Sequence, residues 1–280
     1  LASGLITGGM GGAAIIAAPI ANTLIERYEK NQAFWRMGLA YALIGFFFSL
    51  FIRSAPKQVV PQTAEGSEKA PAKTITANKN WKEMLATPAF YLLILMFAMG
   101  AFSGLMIASN ASLIGQSMFG LSATAAAAYV SLYSLSNTSG RVFWGAVSDR
   151  IGQIRAVIII YSAIIFAFVL LVSVNQVWAF AAGVVTLGLC FGGVMGVFPG
   201  LVMDNFGPAN QGVNYGIVFI GFSSAAFIAP KVTASLAAAN NGDFTKAFYV
   251  AIAVVLLGLG LSLVYAKRKA DAKLAAEIVQ

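Results

Sequence analysis

The chain lacks histidine altogether, has one cysteine and carries few charged side chains, and each shortage excludes a class of protein. Charged residues make up 10% of the 280 residues, whereas a soluble domain has about 25%. One cysteine excludes a disulfide framework, and the absence of histidine excludes HExxH zinc sites and Ser-His-Asp triads. We therefore predict that the protein is not a soluble domain, is not an enzyme and needs no cofactor.

The sequence is rich in long apolar runs, and 59% of its residues are hydrophobic. A helix needs about 20 such residues to cross a bilayer core of roughly 30 Å, whereas a barrel strand would show alternating segments of about ten. We therefore predict an all-α membrane protein with eight transmembrane helices. The predicted spans are 3–25, 34–52, 88–112, 122–147, 155–174, 177–203, 212–236 and 246–266.

The positive charges predict how these spans are oriented. Lysine and arginine number 18 against 10 acidic residues, and most of them lie in the proline-containing segment 54–82, in the loop near Arg150 and in the tail 267–280. If every span crosses once, these three segments share one side, which the positive-inside rule makes cytoplasmic. We predict a multi-pass protein of the inner (plasma) membrane with a flexible cytoplasmic linker at 54–82. Because no stripe of basic and aromatic residues is present, we expect no nucleic-acid partner.

An internal repeat relates the first predicted span to the seventh. The stretch GLITGGMGGAAIIAAPIA aligns on its proline with YGIVFIGFSSAAFIAPKV, and repeats in the same orientation occur in transporters whose two halves rock against each other. If each half has six helices, residues 1–53 are the last two helices of the first bundle and 83–266 are the second bundle. Because Leu1 is not a methionine and starts inside an apolar run, we expect the first four helices to be missing from this chain.

The stretch GAVSDRIGQ resembles the loop signature G-x-x-x-D-R-x-G of the major facilitator superfamily, through Gly145, Asp149, Arg150 and Gly152. Within that superfamily, the segments NTSGRVFWGAVSDRIG and NQGVNYGIVF resemble the oxalate/formate antiporter family, whose members move small carboxylates. The resemblance implies a twelve-helix transporter of two bundles, of which this chain provides helices 5–12. It also implies that Asp149 faces the N-terminus of helix five and closes a cytoplasmic gate; the alternative is a local ion pair with Arg150 or Arg155.

Arg141 lies deep in the fourth predicted span, about 12 Å inside its cytoplasmic end. A cation there costs about 2.5–3.5 kcal/mol on insertion scales, and an anionic ligand would lower that cost. Tyr133, Ser134 and Asn137 precede it on roughly the same side of the helix, and a guanidinium suits a carboxylate held by two hydrogen bonds. We predict that these four residues bind a carboxylate. The alternative is an arginine paired with backbone carbonyls or with an acid outside this chain.

Four further residues are candidates for the same cavity. Lys231 is, after Arg141, the second cation well inside an apolar span, where it either snorkels to the interface or contacts the ligand. The family resemblance implies a lysine at the middle of helix eleven in oxalate carriers. Phe222 occupies that position here, which favours a substrate with one carboxylate. Phe191 and Met195 either line the cavity, as the resemblance implies, or pack in the core.

Glycine recurs every fourth residue in the sixth predicted span, at Gly188, Gly192, Gly196 and Gly200. Small residues at this spacing let two membrane helices approach each other closely. We therefore predict a helix-packing surface here, with bending during transport as the alternative.

The function that these observations favour is secondary active transport. We predict alternating-access movement of a monocarboxylate such as formate, lactate or pyruvate, by a protein that works as a monomer in the lipid bilayer. The alternatives are an oxalate:formate exchanger, a membrane receptor that senses a carboxylate without moving it, and a channel. Since the spans contain no buried acid or histidine, a proton relay within them is not expected.

Overall fold

A computed structural model describes residues 20, 23–25, 27, 28, 30–51 and 78–278 of the chain. These residues fall into two compact units, one within Ala14–Ile75 and one that includes Thr76–Gln280. Among its described residues, the first unit has one long helix, α1 (Lys30–Ser49), at the second predicted span. Most of the first predicted span, including its glycines, and most of the predicted linker lie outside the described residues.

All the regular elements described in the second unit are helices. Its helices follow one another closely, with turns of one to six residues between them. In chain order they are α2 (Trp81–Leu85), α3 (Pro88–Phe119), α4 (Ala123–Ile151), α5 (Gln153–Ser173), α6 (Val177–Phe206), α7 (Gln211–Val218), α8 (Ile220–Ala238) and α9 (Thr245–Ile278).

Five spans in the described part of the chain are long and apolar enough to cross a membrane. They are α3, α5, α6, α7 with α8, and α9 as far as Asp271. Helices α1 and α4 form where the second and fourth spans are predicted, but they are not among the five, so the count of eight spans is not confirmed. The composition of α4 explains its lower hydropathy, because much of its length is alanine, serine and glycine.

Several boundaries differ from the prediction. Helix α3 continues past residue 112 to Phe119 and ends at Gly120, whose φ of 64° a glycine adopts without strain. Helix α9 continues from the apolar span through the basic tail to Ile278, because alanine, lysine and glutamate favour helix there. The seventh predicted span is divided at Phe219. Its N–H still donates to the carbonyl of Tyr215 at 2.8 Å, so α7 and α8 form one nearly continuous span.

The short helix α2 begins inside the segment that the sequence predicts as linker. Asn80 caps it, because its side chain accepts from the backbone N–H of Lys82 at 2.9 Å and of Glu83 at 3.0 Å. The Glu83 carboxylate in turn accepts from the N–H of Asn80 at 2.8 Å, which completes a capping box. This reciprocal cap holds the last linker residues in a fixed conformation before α3.

The core of the second unit lies between α3, α5, α6 and α9, and most of its largest fully buried side chains are aromatic. Phe97 on α3 stacks on Phe198 on α6, with ring centroids 4.6 Å apart. Phe168 on α5 packs against Phe248 on α9 at 5.7 Å. This core supports α6 from one side, and α4 packs on its other side through the glycine positions.

Glycines bring α4 and α6 into backbone contact, as the fourfold spacing predicts. A Cβ added at Gly188 would lie 2.8 Å from the carbonyl oxygen of Tyr133, and one at Gly196 would lie 2.6 Å from that of Arg141. A Cβ at Gly192 would overlap the carbonyl oxygen of Asn137. The glycine stripe of α6 therefore lies directly behind the segment of α4 that carries the candidate site.

Candidate functional site

Arg141 is the one charged residue that is buried among the described residues, with 7% of its surface exposed. It lies in the middle of α4, where the glycine stripe of α6 fixes the backbone from behind. The described residues contain no group of three His, Cys, Asp or Glu side chains that could hold a metal ion. The chemistry available at this position is therefore that of a positively charged hydrogen-bond donor.

Asn137 and Tyr133 lie one and two turns before Arg141 on α4, and both are buried. The Nε of Arg141 donates to Oδ1 of Asn137 at 3.1 Å, which fixes the plane of the guanidinium. The Tyr133 hydroxyl donates to the carbonyl of Gly104 on α3 at 2.7 Å. Tyr133 therefore ties α4 to α3 two turns before Arg141.

Aromatic rings from α3, α4, α6 and α8 form a wall that reaches the helix of Arg141 at Tyr133. Phe191 on α6 stacks between Tyr133, at 6.5 Å between centroids, and Phe222 on α8, at 6.3 Å. Phe222 also contacts Phe219 at 4.7 Å and Phe97 at 6.2 Å. A low-polarity wall of this kind strengthens the attraction between a cation and an anion placed beside it.

The remaining predicted binding residues occupy different surroundings. Met195 is buried on α6, one turn after Phe191. Ser134 is half-buried, and its hydroxyl donates to the carbonyl of Val130 on its own helix at 3.1 Å. Lys231 is exposed and lies nine residues after Phe222 on α8. It does not join the group, because its Nζ lies over the ring of Phe227 at 3.6 Å from the centroid.

The predicted gate residues lie at the end of α4. Gly145 is buried and its carbonyl accepts from the Ser148 hydroxyl at 2.9 Å, whereas Asp149 and Arg150 are exposed. Gly152 is the single residue between α4 and α5, with φ of 90°, a conformation that side-chain-bearing residues rarely adopt. The segment 1–4, which the gate hypothesis places opposite Asp149, lies outside the described residues.

The structure adds two residues to this neighbourhood that the sequence reasoning missed. Tyr215 on α7 contacts Phe97, a ring of the aromatic wall, at 6.2 Å between ring centroids. Gly104 on α3 accepts the Tyr133 hydroxyl, and a Cβ there would overlap the Phe191 ring. The NYG segment that contains Tyr215 could have indicated this residue from the sequence. No pattern in the sequence predicts the contact of Tyr133 with Gly104.

Comparison with known proteins identifies relatives along the whole chain. The sequence model of the Major Facilitator Superfamily matches residues 1–230 and 118–277. A chain named as an uncharacterized MFS-type transporter, YhjX of Escherichia coli (strain K12), is 32% identical over 205 residues, covering 72% of this chain and 49% of that protein. The oxalate:formate antiporter of Oxalobacter formigenes is 26% identical over 266 residues, covering 94% of this chain and 60% of that protein.

Comparison with solved structures addresses the fold. A crystal structure of a mutant peptide transporter, POT, in complex with sulfate matches 74% of this chain and 47% of that chain, with a TM-score of 0.59 and 19% identity. At this identity the likeness concerns the fold alone. The chain spans about half the length of the curated relatives it matches, 49% and 60%.

Proposed function

Because this chain belongs to the Major Facilitator Superfamily, we propose that it is part of a secondary transporter that moves a small carboxylate anion by alternating access. The observation that carries the proposal is the buried guanidinium of Arg141, whose plane is fixed by Asn137 on the same helix. A buried cation in a membrane protein is costly and marks a substrate or ion path. A carboxylate held by two parallel N–H donors lowers that cost.

The substrate that fits best has one carboxylate. Arg141 is the single buried charge among the described residues, and the neighbouring rings of Phe191 and Phe222 are apolar. A second carboxylate placed against these rings would lose its hydration without gaining a cation. Formate, lactate and pyruvate meet this description, with Tyr133 and Tyr215 lining the same site.

The second candidate is exchange of oxalate for formate, which the name of the Oxalobacter formigenes relative supports. A doubly charged substrate needs a second cation. Lys231 is the nearest candidate on α8, but it is exposed and about 14 Å along the helix from Phe222. Its contact with Phe227 favours a lysine that reaches the membrane interface, so we rank this function second.

The proposal places residues 1–53 in the first bundle, 83–266 in the second, and the linker and tail on the cytoplasmic side. In that arrangement Asp149, at the end of α4, faces the start of the first predicted span, near residues 1–4, and closes the cytoplasmic side between transport steps. The exposure of Asp149 and Arg150 and the turn at Gly152 are compatible with this gate.

Counterflow in proteoliposomes tests the transport proposal. Vesicles that contain the full-length protein and unlabelled formate should accumulate labelled formate transiently, and lactate or pyruvate should compete with it. Binding without counterflow would indicate a receptor, and uptake that does not saturate would indicate a channel; either result would contradict the proposal.

The same assay tests the site. Arg141→Gln keeps a polar side chain but removes the charge and the paired donors of the guanidinium, so counterflow should fall to the background of protein-free vesicles. Lys231→Gln should keep most of the activity for monocarboxylates. If Lys231→Gln abolishes transport and oxalate outcompetes formate, the second candidate replaces the first.

A further inference from the structure

A cavity that the proposed function does not use lies at the basic end of the second unit. It has a volume of about 400 Å³ and opens between the start of α3, the end of α6 and the last turns of the apolar part of α9. Its size falls within the range of about 300–1,000 Å³ that is typical of ligand sites. It is lined by Pro88, Ala89, Leu92, Asp204, Asn205, Tyr265, Arg268 and Lys269.

The two sides of this cavity differ in polarity. Pro88, Ala89 and Leu92 form an apolar side on the first turns of α3, whereas α9 contributes the cations Arg268 and Lys269. Helix α3 has no side-chain hydrogen bond at its N-cap, so its first turn adds a weak positive potential to that of the cations. Asp204 also lines the cavity, so the lining has two cations and one carboxylate.

The depth of the cavity along α9 places it where the hydrocarbon ends. The apolar part of α9, 247–266, is about 30 Å long, the thickness of the bilayer core. Tyr265 lies at its last turn and donates to Oδ1 of Asn205 at 2.6 Å, and the cations follow immediately. Trp81 on α2, just before α3, is 45% exposed, as expected of an aromatic residue at the interface.

We propose that this cavity binds the headgroup of an anionic phospholipid from the leaflet on the basic side of the membrane. Arg268 and Lys269 contact the phosphate, Asn205 and Tyr265 form the polar floor, and the glycerol and upper acyl chain lie against Pro88, Ala89 and Leu92. Charge complementarity and the change from apolar to basic lining at the membrane surface carry the assignment. The occupant is a lipid because one side of the cavity is apolar and lies at the level of the acyl chains.

Titration of phosphatidylglycerol into the delipidated full-length protein in neutral detergent tests this assignment, with thermal stability as the readout. Phosphatidylglycerol should raise the melting temperature more than phosphatidylcholine does at the same concentration. Each cation near an anionic lipid is worth about fivefold in affinity. The double variant Arg268→Gln with Lys269→Gln should therefore bind phosphatidylglycerol roughly 25-fold more weakly.

Two further variants separate this site from general surface charge. Arg155→Gln with Lys267→Gln removes one arginine and one lysine at the same end of the unit, outside the cavity lining, and should leave the affinity within about twofold. Asp204→Asn removes the carboxylate from the lining and should raise the affinity severalfold, a gain that misfolding would not produce. Equal losses in both double variants would overturn the proposal, as would an unchanged or lower affinity in Asp204→Asn.

A final arm distinguishes a lipid from a soluble anion with the same phosphate chemistry. Inorganic phosphate or glycerol 3-phosphate, at the concentration at which phosphatidylglycerol saturates, should produce less than a tenth of its shift in melting temperature. If either soluble anion stabilises the protein as well as the lipid does, and through Arg268 and Lys269, the cavity binds a soluble phosphate and the lipid assignment is wrong.

Discussion

The geometry of Arg141 matters as much as its charge. Its Nε is already used by Asn137, so the orientation of the planar group is set before any ligand arrives. A lysine ammonium is a compact charge on a flexible stem and presents no such plane. In the proposed site, which we expect the rings of Phe191 and Phe222 to line, a fixed donor plane would determine where a carboxylate lies.

We expect Arg141→Lys to weaken carboxylate binding although the charge is kept. The substitution removes the bond to Asn137 and one of the two parallel bonds to the carboxylate, and a hydrogen bond to a charged group contributes about 1.5–3 kcal/mol. Half-saturation of formate counterflow should therefore require on the order of tenfold to a hundredfold more formate. Transport parameters equal to those of the wild type would remove Arg141 from the binding site.

Asn137 is expected to act on the substrate through Arg141. Asn137→Ala leaves the guanidinium able to rotate, so the apparent affinity for formate should fall about five- to tenfold. Thr138→Val is the matched control, because the Thr138 hydroxyl donates to the carbonyl of Ser134 on its own helix and lies on another side of α4. Competition by unlabelled formate in the counterflow assay measures both, and equal affinities for the two variants would contradict the positioning role.

At the scale of elements, the backbone contact between α4 and α6 keeps this site rigid. The carbonyl of Asn137 and the N–H of Arg141 both lie against Gly192, without an intervening side chain. Close contact of this kind depends on the absence of a Cβ, and neither backbone can move far because α6 is packed against the aromatic core behind it.

Gly192→Ala should therefore lower both stability and binding. The added Cβ would lie 2.8 Å from the backbone nitrogen of Arg141, and overpacking of this kind typically costs about 1–3 kcal/mol. The melting temperature in detergent should fall by several degrees. Gly260→Ala on α9 is the control, since nothing lies within 4 Å of its added Cβ, and alanine there should leave stability equal or higher. Equal melting temperatures for the two variants would show that α4 and α6 can separate.

The start of α9 gives a pH-dependent contribution to stability outside the membrane. The carboxylate of Asp243 accepts from the hydroxyl of Thr245 at 2.6 Å and from its backbone N–H at 2.8 Å, and these bonds lower the pKa of Asp243. A lowered pKa in the folded state means that this contribution is complete above the unfolded value of about 3.9 and is lost as the pH falls through the folded value.

Asp243→Asn should keep an acceptor for the Thr245 N–H but remove this acid sensitivity. The melting temperature of the wild type should fall more steeply below about pH 4 than that of the variant, and Thr245→Val, which keeps only the backbone donor, should lie between them. Because Asp243 is exposed, the difference should be small. Parallel curves for wild type and Asp243→Asn would refute the assignment.

For the whole molecule, the sequence predicts the helices better than the contacts between them. Long apolar runs predict α3, α5, α6 and α9, and the spacing along α4 correctly places Asn137 beside Arg141. The predicted helix ends differ from the observed ones where the polarity of the sequence changes gradually, as before Phe119 and in the basic tail. The partners that other helices bring to the site, Gly104 and Tyr215, could not be predicted from spacing within one helix, because those contacts arise only when the helices pack.

The orientation of the protein in the membrane can be tested with two positions on α9. Lys246 and Lys267 are both exposed and lie 21 positions apart on this helix, which corresponds to about 31 Å. They should therefore lie at opposite surfaces of the bilayer, with Lys267 on the cytoplasmic side. Cys190, the single cysteine of the given sequence, is buried, so it does not compete for the label with a cysteine introduced at either position. In intact cells a membrane-impermeant maleimide should label Lys246→Cys at once, and should label Lys267→Cys only after the membrane is permeabilised. Labelling in the opposite order would invert the topology, and labelling of both in intact cells would mean that α9 does not cross the membrane.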